Sequence, residues 1–329
     1  MAIRLNKNTI VVFGQENTYG QGASFNYTDG SLKIESGTLT LPHDTTNYTP
    51  LRKEFGVADI YNTGLHAQLE FELALHGEGM DGSNVKETRI GKLLQACLLK
   101  KSTLEDADLN IIGYQYDTSN GEVGYDTDFP SLAFEVYVAG DSTNADKYTL
   151  VGCVGSFRFT GTVGRYPTLA FTFLGKLSGN PTTTTLPAVT YSDIKPYPLE
   201  GVNFSFAGQS VCVNEVSIEL GNKLATRPCL TDENGIAGTI INGRETTGSI
   251  DPEAIFESDL SIFQKMVNAD TVSISLIIGT EQGNKVTISS DTVKIRDFRY
   301  ADRDGIATQD IDLAFIQPDG GSELIIKFE

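Results

Sequence analysis

The chain carries one series of short motifs twice. Leu32-Lys-Ile-Glu-Ser-Gly37 returns as Val216-Ser-Ile-Glu-Leu-Gly221, and Gly56-Val-Ala-Asp-Ile-Tyr-Asn-Thr-Gly64 returns as Gly235-Ile-Ala-Gly-Thr-Ile-Ile-Asn-Gly243. Further on, Val136 to Gly140 matches Leu276 to Gly279, Lys147 to Leu150 matches Lys285 to Ile288, and Leu169-Ala-Phe171 matches Leu313-Ala-Phe315. Each match alone is weak, but the shared order makes a repeat. A chain of 329 residues has length for two domains of roughly 150 residues, each with its own core. Two similar domains offer nearly equivalent neighbouring surfaces, from which closed rings are built. The repeat thus points to assembly rather than catalysis.

Strand formers dominate, tryptophan is absent and 33 glycines supply turns, so the expected fold is mainly β. Leu69-Glu-Phe-Glu-Leu-Ala-Leu75, Thr168 to Phe173 and Val272 to Ile277 alternate apolar and polar residues, as half-buried antiparallel strands do. One helix is expected in each half. Ile90, Leu93, Leu94, Cys97 and Leu98 form a helical stripe with Asn84 and Glu87 as a capping pair. In the second half Asp251 and Pro252 read as N-cap and N1, ahead of Ile255, Phe256, Ile262, Phe263 and Met266. The expected division is a first domain over 1–180 with an inserted hairpin at about 100–131, a Pro/Thr-rich linker over 181–200, and a second domain over 201–329.

Little in the sequence suggests chemistry. The formal charge of −18 (25 basic against 43 acidic residues) argues against gripping DNA, which needs clustered Lys and Arg. It suits solubility, or a surface that repels a polyanion. Gly77-Glu-Gly-Met-Asp-Gly82 matches a dinucleotide fingerprint in spelling. Glu78 and Asp81 would face a pyrophosphate, however, and the preceding strand alternates, so a glycine-rich turn is expected. Asp302 to Asp310 lacks the closing Glu of a calcium loop and reads as a hairpin turn at Asp304-Gly305. His43, His66 and His76 share no metal spacing, and no nucleophile elbow appears. No catalytic residue, cofactor or metal site is expected. The dispersed Cys97, Cys153, Cys212 and Cys229 read as reduced thiols, with Cys97 buried. The N-terminal residues lack a signal-peptide core, and no apolar run is long enough to span a membrane, so synthesis in a cytoplasm is expected.

Several segments together carry a family likeness: Glu16-Asn-Thr-Tyr-Gly20, the strand ending His76-Gly-Glu-Gly79, Leu93-Leu-Gln-Ala-Cys97, Gly155-Ser-Phe-Arg-Phe159 and Pro167-Thr-Leu-Ala-Phe-Thr-Phe-Leu-Gly175. With them the chain resembles the major tail tube proteins of long-tailed, non-contractile bacteriophages (siphophages), as a two-domain variant. The resemblance implies tandem β-sandwich or barrel domains, each with one flanking α-helix. Six domains form a ring whose inner strands close a β-barrel channel, and stacked rings conduct viral DNA during ejection.

With two domains per chain, a homotrimeric pseudo-hexamer is the expected ring; a hexamer with outward second domains is the other arrangement. The long loop that meets the next ring would be Pro42 to Phe55, paired with Lys223 to Asn234, which makes Asp44, Tyr48, Leu51, Arg52, Arg227 and Asp232 inter-ring candidates. Glu35, Glu70, Glu72 and Glu219 are the lumen-facing candidates, although alternation defines two faces without saying which is inside. The implied partners are further copies of the chain, a tape-measure protein and viral DNA in the lumen, and tail terminator and distal tail proteins at the ends. No membrane partner is implied. The implied location is the virion tail, assembled in the bacterial host cytoplasm. Competing readings are a baseplate or tail-terminator ring protein, and a surface-displayed β-repeat binding module using Tyr114, Tyr116 and Tyr125.

Overall fold

The computed structural model describes residues 8–119, 130–138, 140–141, 143–232 and 234–329. Mainly β structure is what it contains, with three short helices among the described residues. Tyr125 and the Gly/Asp/Tyr-rich stretch around it lie outside the described residues.

In the first half the strands pair antiparallel in the order Ile34–Thr40, Ala67–Ala74, Thr168–Leu177, Asn144–Thr162, Leu132–Val138, Ile10–Gln15. In the second half the order is Val213–Glu219, Thr247–Pro252, Ile306–Phe315, Val286–Arg303, Thr271–Ile278, Asn203–Phe206. Position by position in the chain, the two orders are the same. Each half also inserts a two-stranded hairpin between its first two strands: Asp44–Tyr48 with Asp59–Thr63, and Asn222–Pro228 with Ile236–Arg244.

One long strand joins the halves. The end of Asn144–Thr162 pairs with Val213–Glu219, from Arg158 opposite Glu219 to Thr162 opposite Glu215. The alternation anticipated for these strands is observed, so each cross-strand row has a single character. An apolar row runs Ile34, Leu73, Leu169, Phe159, Ile218, Gly248, Leu313, Ile295 from one edge to the other. On the same side Phe71, Phe171 and Phe173 stack with centroid spacings of 5.6–5.8 Å. Burying each such side chain contributes about 1.5–3 kcal/mol, so this face holds the core.

The helices differ from the sequence expectation in their starts. Arg89–Ala96 is capped by Thr88, whose hydroxyl accepts from Ile90 N at 3.3 Å. Asn84 instead accepts from Ile111 N, and Glu87 pairs with Lys101 at 2.7 Å. In the second half Asp251 and Pro252 end a strand rather than starting a helix. The Asp251 carboxylate accepts from Asn214 N and Glu215 N and pairs with Arg303, so β partners claim it first. The helix comes later and in two pieces, Glu257–Leu260 and Ile262–Asn268, broken at Ser261 in the left-handed region. The Glu257 carboxylate bridges the break by accepting from Phe263 N and Gln264 N.

Lys100–Glu105 and Ile111–Asp117 form a hairpin that has no counterpart among the described residues of the second half. Its second strand takes up the C-terminal strand Ile325–Phe328, which also pairs with Val286–Ser289. Tyr114 and Tyr116 on this hairpin are buried, and Tyr116 packs edge-on against Phe328 at 5.9 Å. That corrects their reading as an exposed binding face: aromatic spacing in a strand does not reveal which element covers it.

Residues 178–199 run as an extended arm. Thr182–Thr185 pairs with Asn144–Lys147, and Thr190 O accepts from Ser31 Oγ and from Arg89.

Candidate functional site: a polar sheet face with open edges

Opposite the core, the same strands present a hydrated face. Its central row runs Ser36, Glu72, Ala170, Arg158, Glu219, Thr247, Ala314, Lys294, each residue facing the next across a strand pair. A parallel row holds Thr38, Glu70, Thr172 and Ser156. Side chains directly opposite in a ladder share a face. Glu70, Glu72 and Glu219 therefore lie on one face of one sheet.

Glu35 joins them through a β-bulge. Ile34 faces Leu73 and Ser36 faces Glu72, leaving Glu35 as the extra residue. Its carboxylate accepts from the Tyr166 hydroxyl, and with Glu72 it lines a shallow pocket beside Thr160, Thr162 and Thr168. The bond to Glu35 raises the Tyr166 pKa. All four candidate acids thus come together in direction, spread along the sheet rather than clustered.

The sequence reading missed the cations of this face. Arg158 stands exposed between Glu72 and Glu219, and its Nε donates to Ser217 Oγ at 3.2 Å. Arg299 meets Asp310 at 3.4 Å near the far edge. The face is therefore hydroxyl-rich and mixed in charge. Only pairing register could have revealed Arg158, because it lies in the otherwise aromatic Phe157-Arg-Phe159.

The inter-ring candidates fall on the two inserted hairpins. Asp44, Tyr48, Leu51 and Arg52 are exposed, and Arg52 donates to Gly56 O across its loop. Leu51 and Phe55 are fully exposed at the tip. Arg227 is exposed on the second hairpin, but Asp232 is engaged by Lys176 Nζ at 2.6 and 2.7 Å. That hairpin lies against the first half. Tyr19 OH donates to Thr239 O and accepts from Thr239 N, while Thr239 Oγ1 donates to Gly152 O. Its own exposed tip residue, Leu230, carried no sequence signal beyond a loop.

The motifs that carry the family likeness have structural work. Glu16 is buried and accepts from Gly20 N, Gly22 N, Gly152 N and Ser131 Oγ. Gly77 N donates to Asn284 Oδ1 and Gly79 N to Gly283 O; a Cβ on Gly77 would stand 2.0 Å from Gly283 O. Gly77, with Gly283 opposite Gly79, thus allows two backbones of different halves to touch. Asp304-Gly305 forms the expected two-residue turn, both residues at positive φ. The histidines bond nearby carbonyls through Nδ1: His43 to Leu41 O, His66 to Gly64 O and His76 to Gly77 O. Cys97 and Cys153 are buried, and burial pushes both thiols up in pKa.

A sheet with one dry face, one hydrated face and strand segments left open at its ends, Ile34–Thr40 at one and the stretch from Ile295 at the other, is the surface of a structural β protein. The chain belongs to the phage tail tube protein family, whose pattern it matches over residues 6–325. Proteins of this family are structural rather than enzymatic, and they self-assemble into the tube of a virion tail. A comparison with curated proteins returned no match. No helix among the described residues is long and apolar enough to cross a membrane.

Proposed function

We propose that this protein is the major tail tube subunit of a siphophage, carrying two tube domains per chain, so that three chains make a six-domain ring. One observation carries the reading: the sheet continues from the first half into the second through the pairs Arg158–Glu219 to Thr162–Glu215. Four strands from each half contribute, and the identical pairing order supports an internal duplication. An open sheet removes its edges by closing into a barrel. The core face packs within each half, which leaves the hydrated face to line the lumen. There Glu35, Glu70, Glu72 and Glu219 repel DNA phosphates at short range, while hydroxyls keep the wall wet and non-adhesive.

Stacked rings then form the channel through which DNA is ejected. A tape-measure protein fills it beforehand, and terminator and distal tail proteins close its ends. The exposed apolar tip at Leu51 and Phe55, with Leu230, supports a contact to the next ring. Electron microscopy of the purified, concentrated protein tests the proposal. Tubes of stacked rings with three chains per ring are expected. Single rings that never stack would favour a terminator-type ring protein, and six chains per ring would overturn the trimer.

A further inference from the structure

The hydrogen bonds of the buried Glu16 carboxylate stay within the first half, yet two contacts that hold the second hairpin are built on them. We infer that Glu16 is the positioning residue of the hairpin over 222–244. It shapes residues 17–22 and the bulge at Gly152 into a clasp, which seats this hairpin before another copy arrives. The hairpin over 44–63, its counterpart in the repeat, has no clasp.

Gly20 N and Gly22 N each donate to Glu16 at 2.9 Å and wrap the loop around the carboxylate. Both lie at positive φ, 71° and 81°, which so tight a curl requires. From the other side Ser131 Oγ and Gly152 N donate to the same carboxylate, Gly152 at 3.1 Å. Gly152, at φ 61°, falls where Asn144–Thr162 shifts register against both neighbouring strands. A bulge of this kind frees backbone groups from the ladder. The Gly152 N–H meets Glu16, and its C=O meets the second hairpin.

There Thr239 is wholly buried. Its Oγ1 donates to Gly152 O at 2.7 Å, with Leu174 O at 3.0 Å, and its N and O are the partners of Tyr19 OH. Two glycines make room for the Tyr19 ring. A Cβ on Gly238 would stand 2.6 Å from the hydroxyl, and one on Gly152 3.1 Å from Cζ. Beside the ring, Leu224 and Ile241 pack with Val154 and Leu98. Glu16 thus reaches the hairpin by two routes, through the loop that carries Tyr19 and through Gly152.

The first hairpin is built differently. The matched segments 56–64 and 235–243 put Ile60 at the place of Thr239 and Asn62 at that of Ile241. Asn62 faces Thr45 and accepts from its hydroxyl, so this face bonds to itself. Every residue of Asp44–Tyr48 and Asp59–Thr63 is exposed. Nor does the second half repeat the clasp loop: Asn203–Phe206, the counterpart of Ile10–Gln15, turns straight back, with Phe206 facing Gln209. A two-stranded hairpin standing alone is marginal in water. Each chain therefore carries one seated hairpin and one that supports itself. Resting on the ring reading above, the seated hairpin offers Arg227 and Leu230 to the next ring at little ordering cost.

Hydrogen exchange of the unassembled protein tests the clasp, because amide exchange reports local opening. Amides of 222–244 are expected to exchange about a hundredfold more slowly than those of 44–63, yet faster than the core strand Thr168–Leu177. Glu16→Gln keeps the shape and withdraws the charge that gathers the donors. It is expected to speed 222–244 roughly tenfold and to leave 44–63 unchanged. Acceleration confined to 16–22 would show that Glu16 shapes only its own loop, and would overturn the inference. So would one common rate for 222–244 and 168–177, since the hairpin would then open only with the whole fold.

A double-variant cycle tests whether Glu16 acts through Tyr19. Tyr19→Phe alone is expected to speed 222–244 roughly tenfold as well, and the two changes together to stay below about thirtyfold. The full product, about a hundredfold, would make the two contributions independent and overturn the relay. Should Glu16→Gln not fold, Ser131→Ala withdraws a single donor, with about a threefold rise expected in the same amides. If the protein gives no rings, the ring reading fails, while the exchange of the single chain still decides the clasp.

Discussion

The Tyr19 hydroxyl donates to Thr239 O and accepts from Thr239 N, both at 2.6 Å, across 220 residues of sequence. This bridge fastens the second half's hairpin to the loop that follows the first strand. Tyr19→Phe removes both bonds and leaves a buried backbone N–H unpaired, which costs about 1–3 kcal/mol. A lower urea midpoint with an unchanged slope is expected. An unchanged midpoint would mean that water replaces the bridge.

Gly91 lies in the helix Arg89–Ala96, where alanine ordinarily gains about 1 kcal/mol over glycine. Here a Cβ would stand 1.9 Å from the Tyr116 hydroxyl. Overpacking of this kind costs about 1–3 kcal/mol, so the clash outweighs the propensity gain. Gly91→Ala is expected to lower the thermal midpoint, and Tyr116→Phe in the same chain to recover part of the loss. A rise in midpoint for the single variant would show that Tyr116 moves aside freely.

These two contacts also show what the sequence could and could not reveal. Strand alternation at Leu69, Phe71 and Leu73 follows from local pattern, and so do the Asp304-Gly305 turn and the buried stripe at Ile90, Leu93 and Leu94. The matched motifs predicted which strands correspond. Asp251 misled because a good helix cap is equally a good acceptor for a neighbouring strand's N–H groups. Tyr114 and Tyr116 misled because their cover, Ile325–Phe328, lies more than two hundred residues away. Which acids share a face was legible; Arg158 among them required the register between halves.

Asp232 provides a pH test. Its hydrogen bond from Lys176 holds the carboxyl below its ordinary value of 3.8. A depressed folded pKa means that the link stabilises fully above about that value and is lost as pH falls through the lower folded one. Asp232→Asn is therefore expected to be less stable than the unsubstituted protein at pH 7, the difference vanishing in strong acid. A difference that persists below pH 2 would show that the hairpin depends on Asp232 for reasons other than charge.

Glu70→Lys with Glu72→Lys probes the proposed lumen face. Both carboxylates point away from the core, so folding stability should move by less than about 0.5 kcal/mol. Tubes are expected to assemble normally, with DNA release from reconstituted particles slowed and the slowing relieved by salt. Loss of assembly would instead place these residues at a subunit contact.

Leu51→Ser with Phe55→Ser removes two fully exposed apolar side chains at one hairpin tip. Monomer stability is expected to be unaffected, since neither contributes to the core. Single rings should accumulate at the expense of long tubes in sedimentation. Tubes of normal length would exclude this tip from the stacking contact.

The C-terminal strand Ile325–Phe328 lies between Val286–Ser289 of its own half and Tyr114–Asp117 of the other. In a ring of three chains this divides six junctions into two mechanical kinds. Three are sewn by continuous polypeptide and a shared strand; three rest on short edges alone. A tube made of such rings has hinges at every second junction, so bending and stepwise shedding of subunits would follow a threefold pattern on a wall that is nearly sixfold in shape.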